Sequence, residues 1–219
     1  LYNYGFHTMT SPHHSFQRFL RYFIYPGIVF FSTHIWAETE QEKAIQAPVN
    51  ELHTSLINIM QAAEKQSFQA RYDVIEKVVL EYFDSPLIAK VILGRYWKTL
   101  DEKSKSEFIN LFNRLTISTY VDRFDTYREQ SFKDISTEKM KKNRYLVKTE
   151  FVRTDDEPVS FNYIVQKEND KWKIISVIAN GINDLSLKRA DYSAIIKDQG
   201  FDALLIDLKE KIRLLQPEI

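Results

Sequence analysis

Five histidines, at positions 7, 13, 14, 34 and 53, are the only imidazoles in this 219-residue chain, and there is no cysteine. The missing thiols exclude disulfides, thiolate nucleophiles and cysteine-ligated metals. Four of the histidines precede residue 38, in a segment whose composition sets it apart. A hydrolase triad or a His-rich metal site in the remainder would have to be built on His53. His53 follows Leu52 on an amphipathic stretch and is expected off its apolar stripe, as an ordinary surface side chain. Carboxylate catalysis needs an Asp or Glu set among apolar neighbours. Glu150 comes nearest to that on the best strand patterns, but it shares a strand face with Lys148. Past residue 37 the only glycines are Gly94, Gly181 and Gly200, so no phosphate-cradling loop or nucleophile elbow is present. These residues predict no metal, no cofactor and no catalytic residue.

The abundant chemistry is apolar and aromatic: 15 Phe, 12 Tyr and 3 Trp, with hydrophobic residues at 44%. Such side chains at regular spacing ordinarily pack a core, and they are also what an apolar cavity needs. The formal charge is zero. Basic residues are interleaved with acids, as in Glu102-Lys103-Ser104-Lys105, the pattern of a solvated helix face. No global field draws nucleic acid, so no nucleic-acid partner is expected.

The elements that position these side chains change period along the chain. Val49, Leu52, Leu56, Ile59, Met60 and Ala63 recur at helical spacing behind Pro48, which suits a first helical turn. Tyr72, Ile75, Val79 and Tyr82 mark a second helix. Asp84-Ser85-Pro86 opens a third, carrying Leu87, Val91, Ile92 and Trp97. Thr99 and Glu102 have capping-box spacing ahead of a fourth, whose stripe includes Phe108, Phe112, Leu115, Tyr120 and Phe124. The period then falls to two. Residues 145–152, 159–166 and 172–179 alternate as strands, with turns expected at Asp155–Pro158 and Asn169–Lys171, and a weaker strand lies near Phe132–Met140. Helical spacing returns after Gly181, with Asn183 or Asp184 as cap, Gly200 as a break, and Phe201, Leu204, Leu205, Leu208 and Ile212 on the last helix. Helices, then an antiparallel meander, then helices argue for a single α+β domain, residues 48–215.

Residues 1–37 contain Arg18 and Arg21 and no acid, then a broken apolar run from Tyr22 to Phe31, then Ala37 ahead of Glu38-Thr39-Glu40. That order predicts a secretory signal cut near Ala37, with Met9 a candidate start and 38–47 a linker. The run is too short to span a bilayer, though a retained membrane-surface anchor would use the same residues.

Three ordered segments carry a resemblance. Val91-Ile-Leu-Gly-Arg-Tyr-Trp-Lys98 with Phe108-Ile-Asn-Leu-Phe112, then Trp172-Lys-Ile-Ile-Ser-Val-Ile-Ala-Asn-Gly181, then Tyr192 with Gly200-Phe-Asp-Ala-Leu204, together resemble the toluene-tolerance, or MlaC-like, family over roughly residues 45–215. Asp184–Ser193 also resembles its hopanoid-associated HpnM branch. The resemblance implies a periplasmic protein with a curved antiparallel sheet of NTF2-like type packed against N- and C-terminal helices. It implies a lipid carrier, for phospholipid or hopanoid, working between an inner-membrane MCE-domain ABC transporter subunit and an outer-membrane lipoprotein complex. Ser176 and Asn180 depart from the family pattern, which often has acids there.

On that reading Phe151, Phe161, Tyr163 and Ile178 are expected on one sheet face, with Val91, Trp97, Phe112 and Leu115 opposite, enclosing lipid tails. Val177 and Val152 are expected on the other face if the strands pair in register. Lys188 and Arg189 are candidate contacts for a headgroup phosphate. Burying one methylene is worth ~0.8 kcal/mol, so tails can be held without a charged clamp. Two other classes stay open: an NTF2-like isomerase or dehydratase, and a ligand-free envelope adaptor.

Overall fold

The computed structural model describes residues 33–154 and 156–216. The expected secretory signal, residues 1–37, lies outside them except for Thr33–Ala37, which are helical. Among the described residues there are six α-helices: α1 (Thr33–Gln61), α2 (Phe68–Tyr82), α3 (Ser85–Leu93), α4 (Glu102–Arg123), α5 (Asp184–Gln199) and α6 (Phe201–Leu215). Five strands, β1 (Ser131–Lys139), β2 (Arg144–Arg153), β3 (Asp156–Glu168), β4 (Lys171–Ala179) and β5 (Ile182–Asn183), form one antiparallel sheet in chain order. The expected α+β segregation is what forms.

Residues 38–47, expected as a linker, are helix, and Pro48 lies inside α1 rather than in its first turn. The reason is burial. Ile45 extends the stripe of Val49, Leu52, Leu56 and Ile59 by one turn, and all five are essentially inaccessible. That packing outweighs the hydrogen bond a proline withholds. The cap of α4 is Asp101, not Thr99: its carboxylate accepts from the Ser104 amide at 2.7 Å, while Thr99 closes a 3-10 turn over Gly94–Thr99. The turn expected at Asp155–Pro158 is shorter, because β3 begins at Asp156 and includes Pro158. The Asn169–Asp170 turn forms with both residues at positive φ, the conformation a two-residue hairpin favours.

The sheet is bent by three register shifts, at Asp134/Ser136, Phe151/Arg153 and Ile164/Val165. The third decides which side chains face the helices. Tyr163 pairs with Val177 but Val165 with Ile174, so Ile175 is extra and the parity of β4 changes there. α1 packs on β1, β2 and β4, α2 on α1 and α4, and α4 on α6. Phe83 forms a bridge to Ile174, and the Asp84 amide donates to the Ile174 carbonyl at 3.0 Å, tying the start of α3 to β4.

A candidate lipid cavity and the residues around it

α4 carries Phe108, Leu111, Phe112 and Leu115 inward, and Phe108 stacks on Phe112 while meeting Tyr192 and Phe201 edge-on or tilted. This aromatic knot joins α4 to α5 and α6. Below it the three helices and β4 do not close on one another. A cavity of about 740 Å³ remains between α4, α5, the end of α6 and the sheet. Its floor is apolar: Phe83, Ile88, Phe112, Leu115, Phe124 and Phe161. Ile182, Leu187 and Leu214 also line it and are more than half exposed, so the cavity reaches the surface through an apolar rim. The charged lining is balanced, Asp122, Asp184 and Asp191 against Arg123, Lys188 and Lys211. Lys188 is paired with Asp184 one turn back on α5.

Polar groups in the wall are quiet. The Thr119 hydroxyl donates to the Leu115 carbonyl at 2.7 Å, the local bond a helical threonine makes. Burial, reinforced by the Asp184 charge, raises the Tyr120 and Tyr192 hydroxyls above their ordinary pKa, so both stay protonated. Among the described residues no group of three or more His, Asp or Glu side chains could hold a metal ion. A neutral, mostly apolar hollow with an open rim can enclose hydrocarbon.

Of the residues expected to line the hollow, Phe112, Leu115, Phe161 and Lys188 do so. The rest lie elsewhere. Phe151 is solid core, 5.6 Å from Phe124 and 4.9 Å from Phe132 between ring centroids. Tyr163 is buried against α1. Trp97 sits on the 3-10 turn, half-buried, with the Lys105 ammonium 5.4 Å over its ring. Ile178 pairs with Asn162, while Val177 and Ala179 line the cavity, the reverse of the expected parity and a direct result of the extra residue at Ile175. Val91 and Arg189 line a second, smaller cavity of about 180 Å³ across α3 and α5. α3 is apolar on nearly every side, so its spacing alone could not say which side faced which hollow. Tyr120, Leu185 and Tyr192 are lining residues the face assignment missed. Tyr120 was visible on the α4 stripe, and Tyr192 in a motif.

His53 is the clearest correction. It is 6% exposed, lies flat on Phe132 at 3.7 Å between ring centroids, and shares a 3.0 Å hydrogen bond through Nε2 with the Tyr163 hydroxyl. Desolvation lowers its pKa to about 3, so the ring is neutral. Its spacing of four from Val49, rather than its place one after Leu52, sets the side of α1 it faces. It does not line the large cavity.

The MlaC protein family model matches residues 50–210. The intermembrane phospholipid transport system binding protein MlaC of Haemophilus influenzae is 19% identical over 178 residues, which cover 80% of this chain and 83% of that protein. The structure of a phospholipid-binding protein from Ralstonia solanacearum, solved in complex with a phospholipid, superposes with a TM-score of 0.69 at 19% identity. It covers 78% of this chain and 98% of its own.

Proposed function

This chain belongs to the MlaC family, and we propose that it is a periplasmic lipid carrier that encloses acyl chains in the 740 Å³ cavity. The observation that carries the reading is a cavity with an aromatic and aliphatic floor, opening through an exposed apolar rim, in a chain whose curated relative is a phospholipid transport binding protein. Phe112, Leu115, Phe161, Val177 and Ala179 hold the tails. Lys188, at the edge, is the headgroup contact nearest that hollow. Each methylene taken out of water contributes ~0.8 kcal/mol, so a pair of chains is held mainly by enclosure. The job needs no metal, cofactor or catalysis. Ile182, Leu187 and Leu214 give the rim an apolar face that an inner-membrane MCE-domain transporter subunit and an outer-membrane lipoprotein complex would cover during exchange.

Phospholipid is the cargo assigned first. Hopanoid is the second, because Asp184–Ser193, the part of α5 that resembles the hopanoid-associated branch, forms one wall of the cavity. Organic extraction of the purified protein followed by mass spectrometry tests both. The expected result is one class of amphiphile near molar equivalence. Folded protein that carries no lipid, and takes none from vesicles, overturns the reading.

A further inference from the structure

The smaller cavity is polar in a way the larger is not. It lies on the sheet face turned away from α1, between α3 and α5, with Leu87, Val91, Ile164 and Ile175 as apolar walls. Its only charged walls are Arg144, from the start of β2, and Arg189, from α5; the remaining polar lining is Ser176, Asn183 and Ser186, and no carboxylate is among them. Arg144 Nε donates to the Gln166 amide oxygen at 2.8 Å, a neutral partner that leaves the positive charge uncompensated. Arg189 has neither an ion pair nor a hydrogen bond among the described residues. Its guanidinium lies across Gly94, with Nη2 3.2 Å from where a β-carbon on that residue would stand. Among the described residues ten ion pairs join Lys or Arg to Asp or Glu, and neither of these arginines is in one. Two guanidinium groups without a carboxylate partner converge on one small acid-free hollow, which offers a site to an anion from outside.

We propose that this second cavity is a phosphate-binding site, with Arg144 and Arg189 as its two charged walls. Guanidinium forks match the tetrahedral oxygens of a phosphate, and two of them on one hollow can grip it from two sides. At about 180 Å³ the hollow is far smaller than its neighbour and suits a compact anion. The phosphate has two possible sources. One is the phosphodiester of a lipid seated in the large cavity, since Ser176 and Leu185 line both hollows and form the wall between them. That source rests on the carrier reading. The other is free phosphate or a small phosphate ester, which does not.

The full chain, stripped of co-purified lipid, is titrated calorimetrically with inorganic phosphate at low ionic strength. It is also offered phosphatidylglycerol and diacylglycerol of matched acyl chains in mixed micelles. Phosphate binding weakened at least about tenfold in both R144Q and R189Q assigns the site to free phosphate, the loss expected when a charged hydrogen-bond partner goes. A preference for phosphatidylglycerol over diacylglycerol that both variants lose, while still taking up diacylglycerol, assigns it to the headgroup. Variants that match the wild type in both arms overturn the site, as does a wild type that neither binds phosphate nor prefers the phospholipid. Should a glutamine variant unfold, R144K and R189K replace it; they keep the charge without the fork and are read by the same criteria. If the wild type takes up neither lipid, the carrier reading fails and the phosphate titration still decides the site.

Discussion

Acid should unfold this protein partly through one side chain. His53 is neutral in the fold, its pKa lowered from 6.5 to about 3 by burial against Phe132 and Tyr163. An unfolded chain takes up that proton near pH 6.5, while the folded chain resists until far lower. The stability this contributes is complete above pH 6.5 and is lost as pH falls toward 3. Each pH unit inside the window costs about 1.36 kcal/mol. Between pH 7 and pH 5 the loss is about 2 kcal/mol, allowing for partial titration near pH 6.5. That corresponds to roughly 4–8 °C in melting temperature for a chain of this size. The surface carboxylates Glu81, Asp101, Glu138 and Glu210 are held below their ordinary pKa by hydrogen bonds from Lys171, Ser104, Lys148 and Arg213, so acid acts on them as well, and the His53 share is read by difference against a variant. Urea unfolding at pH 7.0, 6.0 and 5.0 reads the effect. His53→Phe provides the reference, since it keeps a ring on Phe132, removes the titrating group and cancels the contribution of the other four histidines. It should be less stable at pH 7 by about 1–3 kcal/mol, because the buried Tyr163 hydroxyl loses its partner. Its stability should then change by less than half as much as the wild type's between pH 7 and pH 5. Equal slopes in the two proteins would refute the burial argument.

Two further substitutions separate hollow from core. Leu115→Trp, which adds volume into the large cavity, should keep the melting temperature within a few degrees and weaken lipid retention about 100-fold. That is the cost of displacing three or four methylenes at ~0.8 kcal/mol each, read by mass spectrometry of the purified protein. Ile117→Trp, two residues along α4 but 1% exposed in solid packing, should instead destabilise by ~1–3 kcal/mol and leave lipid bound to whatever folds. Gly94→Ala forces a side chain onto a residue at φ +55° and into contact with Arg189, so it should cost ~1–3 kcal/mol in urea unfolding.

How much of this was legible in the sequence follows from what each pattern measures. Period placed the long strands and the helices from Val49 onward, because a stripe at 3.6 or 2 residues records which face is buried. It could not record a register shift. One extra residue at Ile175 leaves the alternation of β4 intact on either side, yet exchanges Ile178 for Val177 at the cavity wall. Nor does periodicity distinguish a face that packs from one that borders empty space. Phe151 and Phe161 show the same alternation and both meet Phe132, but Phe151 is also covered by Phe124 while Phe161 borders the cavity. The linker at 38–47 failed for a different reason: its Glu, Lys and Gln residues read as loose chain, and Ile45 alone marked the turn that docks. His53 failed because its place one after Leu52 was weighed above its place four after Val49. Its exclusion from water is also what separates it from Arg144 and Arg189. A single neutral ring can be satisfied by one hydroxyl and close its site, whereas two guanidinium charges without a carboxylate cannot be satisfied from within the chain. Sequence gives the types of Arg144 and Arg189, 45 positions apart; their convergence on one hollow belongs to the fold, and that convergence is what makes an anion the expected occupant.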